Sequence, residues 1–106
     1  MNKHIRKPRN QELYRAILTM ETVEELMRFF DDLCTVSELQ AIEQRFHVAS
    51  LLERGLVYNC ILEETGASSA TISRVNRCLQ YGAGGYTTAF ERLYHTEQTK
   101  KGENGT

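Results

Sequence analysis

The sequence predicts an all-α fold, and three features carry that prediction. Apolar residues recur at helical spacing through most of the chain. Thr-x-x-Glu signals stand ahead of apolar runs, and no segment alternates apolar and polar residues as a half-buried strand would. With 106 residues, 41% of them hydrophobic and 25% charged, the chain has the size and composition of one ordinary globular domain. The apolar runs are only a few residues long, too short for a membrane span. The opening Met1-Asn2-Lys3-His4-Ile5-Arg6 lacks the apolar core of a signal peptide, so a cytoplasmic location with no membrane partner is expected.

Residues 1–9 hold Lys3, Arg6, Lys7 and Arg9 without an acid and read as a flexible basic N-terminal arm. A first helix is expected over about Gln11 to Met20, with Leu13, Tyr14, Ile17 and Leu18 on one face. Thr22 and Glu25 form a capping-box pattern for a second helix. Its stripe of Val23, Leu26, Met27, Phe30, Leu33 and Cys34 reads as core. Thr35 and Glu38 repeat the box for a third helix, which is expected to stop at Gly55. There Leu39, Ile42, Phe46 and Ala49 keep one seam, while Val48, Leu51 and Leu52 add a second apolar face. Two apolar faces on one long helix suit a bundle centre or a dimer interface.

A short helix is expected over about Tyr58 to Thr65, a turn at Gly66-Ala67-Ser68, and another helix over about Ser69 to Tyr81. Composition makes 81–86 a flexible loop, and Thr88 with Glu91 offers a box for a last helix ending near Thr96. Residues 97–106 are polar and read as a disordered tail, leaving 10–96 as the folded domain.

The chemistry concentrates between Tyr58 and Gln80. Two short helices joined by three residues cross steeply, and Gly66 frees the turn from side-chain clash. Ile61 and Leu62 on one helix meet Ile72, Val75 and Leu79 on the other. Ser68 is the natural N-cap. A helix enters a DNA major groove only when its leading side chains are short or bond base edges, and Ser68, Ser69, Ala70, Thr71 and Ser73 satisfy that condition. Arg74 and Arg77 lie one turn further on, within reach of phosphate or a guanine edge. The net charge is only −1, but residues 65–90 carry those two arginines and no acid, whereas 21–43 are strongly acidic. The pattern is that of a helix-turn-helix DNA-binding protein with double-stranded DNA as its partner.

The runs Thr35-Val36-Ser37-Glu38-Leu39 and Gly66-Ala67-Ser68-Ser69-Ala70-Thr71-Ile72-Ser73-Arg74 resemble the tryptophan repressor family. Asn10-Gln11-Glu12-Leu13-Tyr14 and Arg74-Val75-Asn76-Arg77-Cys78-Leu79 are similar to its YerC/YecD group in Gram-positive bacteria. The resemblance covers about residues 10–95. It implies six helices, two chains interlocked as a homodimer, and a transcriptional repressor whose recognition helices enter successive major grooves. It also implies a corepressor pocket at Thr35, Arg45, Arg74, Val75 and Cys78. In that pocket Val75 stands where the tryptophan repressor has glycine, and Cys78 where it has serine. Both departures argue against tryptophan, leaving another small-molecule corepressor or ligand-free DNA binding as the alternatives.

No enzymatic, metal or cofactor chemistry is expected. His4, His47 and His95 are far apart, and the isolated Cys34, Cys60 and Cys78 have neither zinc nor disulfide-framework spacing and read as buried or half-buried side chains. Asp31-Asp32 and Glu63-Glu64 are adjacent on helices and so face different ways. No phosphate loop or nucleophile elbow is present. The competing reading is a protein-interaction module with Tyr81, Tyr86 and Phe90 as contacts.

Overall fold

The computed structural model describes the backbone of residues 8–105 and the side chains of residues 8–95. Residues 1–7 of the expected basic arm lie outside the described residues, as does Thr106. Six helices make up the described chain: α1 (Gln11–Leu18), α2 (Val23–Leu33), α3 (Val36–Glu53), α4 (Tyr58–Thr65), α5 (Ser69–Tyr81) and α6 (Gly85–Gly105). The chain divides into two compact units between Leu39 and Gln40, within α3.

The first unit owes its helix starts to side-chain caps. Asn10 Oδ1 accepts from the backbone N–H groups of Glu12 at 3.1 Å and Leu13 at 3.3 Å, a cap the apolar pattern did not single out. Thr22 Oγ1 accepts from the Glu25 N–H at 3.0 Å. The Glu25 carboxylate reaches one residue further back than a capping box requires, to the Glu21 N–H at 2.8 Å. The box at α3 is reciprocal: Glu38 N–H donates to Thr35 Oγ1 at 3.1 Å, and Thr35 N–H to Glu38 Oε1 at 2.9 Å. The stripe along α2 is not core within one chain. Neither α1 nor α2 contributes a buried residue, and Leu18 is 83% exposed, Val23 69% and Met27 59%. The sequence pattern gives each helix an apolar side, along which Leu13, Ile17, Leu26 and Phe30 are half-buried and the rest are exposed.

The second unit holds the core. Val48, Ala49 and Leu51 of α3, Ile61 of α4, Ala67 of the turn, Ile72 and Val75 of α5 and Phe90 of α6 are buried together. Helix α3 ends in a Schellman motif at Gly55, whose φ of +87° lets the chain reverse. The Gly55 N–H donates to Leu52 O and the Leu56 N–H to Leu51 O, at 3.0 and 3.1 Å.

The segment after α5 differs from its sequence reading. Helix α6 begins at Gly85, and the Thr88 N–H already donates to Gly84 O inside the first turn, so no capping box forms at Thr88 and Glu91. Gly84, at φ +88°, permits the tight reversal. The earlier start brings Tyr86 into the helix, on one face with Phe90 and Tyr94 at four-residue intervals. Their rings stack, with centroids 6.0 Å apart for Tyr86 and Phe90 and 5.7 Å for Phe90 and Tyr94. Phe46 of α3 lies 5.2 Å from Phe90, and the Tyr94 hydroxyl hydrogen-bonds Ser50 at 3.1 Å. The backbone of 97–105, read from composition as a tail, continues the helix, in keeping with the helix preference of Glu97, Gln98, Lys100 and Lys101.

Candidate nucleic-acid interface

Helices α4 and α5 form the expected pair, with the boundaries the sequence implies. Gly66 occupies the left-handed region at φ +71°, and its N–H closes α4 by donating to Leu62 O at 2.9 Å. A Cβ built there meets nothing within 4 Å, so backbone conformation rather than space explains the glycine. The Thr65 hydroxyl donates to Ile61 O at 2.7 Å and accepts from the Ala67 N–H at 3.1 Å. Ala67, 3% exposed, plugs the corner between the helices. Gln44 of α3 donates its side-chain N–H to Thr65 O at 3.2 Å. No sequence signal marked Gln44, since a lone glutamine within a long helix reads as a solvated residue.

Helix α5 separates its two roles by face. Ile72 and Val75 are buried, with Leu79 partly buried beside the core. Ser69, Ala70, Ser73, Arg74 and Arg77 are exposed. Ala70, Ser73, Arg74 and Arg77 line one open depression, so these four candidate residues are brought together. Neither arginine donates a hydrogen bond to another described residue, and both are exposed. Ser68 and Thr71 are engaged differently. Ser68 Oγ accepts from the Thr71 N–H at 3.1 Å as the N-cap, and its hydroxyl donates to Thr71 Oγ1 at 3.1 Å. These two hydroxyls hold the start of the helix, whereas Ser69 and Ser73 stand open to solvent.

The residues implied for a corepressor pocket fall in both units. Thr35, in the first unit, is the cap of α3 with its hydroxyl bound by Glu38. In the second unit Arg45, Arg74 and Cys78 are exposed, whereas Val75 is 3% exposed and part of the core. Cys78 borders a different depression from Arg74, one lined also by Gly82, Ala83, Gly84, Gly85 and Tyr86.

Two cysteines depart from the expectation of burial. Cys34 is half-buried, but Cys60 and Cys78 are exposed because Ile61 and Val75 take the inward positions of their helices. Of the aromatic residues in the competing interaction reading, Tyr81 is 81% exposed, Tyr86 is half-buried, and Phe90, at 2%, is unavailable as a contact. No described helix is long and apolar enough to cross a membrane.

The comparisons with known proteins bear on family and fold. The family model described as Trp repressor protein matches residues 9–94. The YerC protein of Bacillus subtilis (strain 168) is 51% identical over 86 residues, which cover 81% of this chain and 83% of the relative. A crystal structure of a candidate Trp repressor from Staphylococcus aureus aligns with a TM-score of 0.80 at 47% identity, covering 89% of this chain and 95% of that one. A TrpR-like protein from Eubacterium eligens ATCC 27750 aligns with a TM-score of 0.79 at 46% identity, covering 87% and 95%. With four-fifths of its length matched and both structural neighbours sharing its helical architecture, the chain belongs to the Trp repressor family.

Proposed function

We propose that this protein is a sequence-specific DNA-binding transcriptional regulator, a repressor in type, that acts as a homodimer and reads the major groove with α5. The observation that carries the reading is the outer face of α5. Ser69, Ala70 and Ser73 are short and exposed, and Arg74 and Arg77 stand behind them on an acid-free segment. Short side chains let the helix approach base edges, and the two cations neutralise phosphate or pair with a guanine edge. Membership of the Trp repressor family supports the same use of the surface. The exposed apolar sides of α1 and α2 support the dimer, because a second copy would remove them from water.

Tryptophan is not required in this reading. The buried Val75 adds side-chain volume where a glycine would leave a slot, and the Cys78 thiol is a weak hydrogen-bond acceptor beside an ammonium group. Isothermal calorimetry with tryptophan is expected to give a flat titration; saturable heat would overturn that part of the proposal. Selection from a random DNA pool tests DNA reading itself. Enrichment of a two-fold symmetric site with half-sites about one helical turn apart is expected. Failure to retain any duplex at low salt would refute DNA binding and favour a protein-interaction role.

A further inference from the structure

We infer that Gln44 is a positioning residue for the recognition surface: it ties the turn before α5 to the long helix α3. The inference rests on the DNA-reading role of α5 and goes beyond it by assigning a residue that touches no part of the proposed groove-reading face.

Thr65 is the last residue of α4, and its carbonyl is among those left without a partner within the helix. The Gln44 side-chain N–H supplies that partner at 3.2 Å, with Gln44 half-buried. Only the amide nitrogen of Gln44 can face a carbonyl, because its oxygen would oppose another acceptor. The other polar ties of the turn stay within it. Gly66 N–H bonds back to Leu62 O, and the Thr65 hydroxyl links Ile61 O to the Ala67 N–H. These local bonds shape the corner but do not fix where it sits on α3. Apolar packing of Ile61, Ile72 and Val75 against Val48 and Leu51 resists separation more than sliding, since it has no directional preference. The Gln44 bond is directional and spans 21 residues of chain, so it fixes the corner in position. Helix α5 starts three residues after Gly66, with only Ala67 and Ser68 between, so displacement of the corner is passed directly to Ser69, Ala70 and Ser73. Groove reading depends on placing such short side chains within hydrogen-bond distance of base edges, whereas phosphate contact by flexible arginines tolerates displacement.

The test uses Gln44→Met, which keeps the length and removes the donor, and Gln44→Glu, which sets an acceptor against the carbonyl. Gln40→Met, at an exposed position one turn earlier on α3, is the control. Two readouts are taken on the full chain. The first is amide hydrogen exchange of Gly66 and Ala67 in the free protein. Exchange faster by roughly three- to tenfold in both Gln44 variants is expected from loss of one hydrogen bond, with Gln40→Met unchanged. The second is the affinity ratio between the selected duplex and a scrambled duplex. That ratio is expected to fall by a similar factor in the Gln44 variants, while scrambled-duplex affinity and its salt dependence stay near the parent's and the melting temperature falls by only the few degrees that loss of one hydrogen bond costs. Unchanged exchange at Gly66 and Ala67 overturns the anchor whatever the DNA result. Faster exchange with an unchanged ratio overturns the positioning role. Equal loss on both duplexes with a larger fall in melting temperature also overturns it, in favour of a general stability role. If the parent itself fails to distinguish the duplexes, the DNA reading fails, and the positioning role falls with it; the exchange result then still decides whether the anchor exists.

Discussion

Gly82 follows α5 at a place where a methyl group has no room. A Cβ built there lies 2.4 Å from the carbonyl oxygen of Cys78, which is backbone and cannot swing aside. Gly85, three residues later, has nothing within 4 Å and begins a helix. Gly82→Ala is therefore expected to destabilise the fold by about 1–3 kcal/mol, as overpacking does. Gly85→Ala is expected to be neutral or to stabilise by up to ~1 kcal/mol through the unfolded state. Paired thermal melts check the opposite signs. The sequence marks both as loop glycines and cannot separate them, because the clash depends on the path of the chain after Tyr81. Gly66 and Ser68 were legible because their roles are local: one needs a positive φ, the other caps its own helix. Gln44 was not legible, because its partner is 21 residues away and is a main-chain carbonyl that leaves no mark on side-chain pattern.

Helix boundaries were legible where start and stop signals lie in adjacent residues. Helices α4 and α5 coincide with their expected limits because Gly66 ends one and Ser68 begins the next. Helix α6 did not follow its Thr88–Glu91 pattern, since extending one turn toward Gly85 brings Tyr86 beside Phe46 of α3, with ring centroids 6.5 Å apart, as well as onto Phe90. Tertiary packing outweighs a cap that contributes about 1 kcal/mol. The same Thr-x-x-Glu motif is thus expected to behave differently at two sites. Thr35→Ala, which breaks a reciprocal box, is expected to cost roughly 0.5–2 kcal/mol. Thr88→Ala, on an exposed position inside the first turn of α6, is expected to change stability by less than about 0.5 kcal/mol. Denaturant unfolding of the two variants checks the difference; a large loss at Thr88 would restore the cap that the structure lacks.

At the scale of the whole molecule, the fully buried core comes from the second unit, and the apolar sides of α1 and α2 hold only exposed and half-buried residues. The sequence showed those apolar stripes but not what covers them, because periodicity marks a buried face without naming its partner. In the proposed homodimer, Leu18→Glu is expected to shift sedimentation equilibrium toward monomer and to lower the melting temperature in a concentration-dependent manner. A parent chain that sediments as a monomer across the micromolar range would remove the dimer. DNA reading by α5 is the central claim, and its most direct measurement is the affinity of the parent and of Arg77→Ala for a selected duplex as a function of salt. The account predicts a steep fall of log affinity with log salt for the parent. In the variant the slope is expected to be shallower by about one for each phosphate that Arg77 neutralises in a bound subunit, with folding unchanged. Affinity insensitive to salt, or identical slopes for parent and variant, would contradict it.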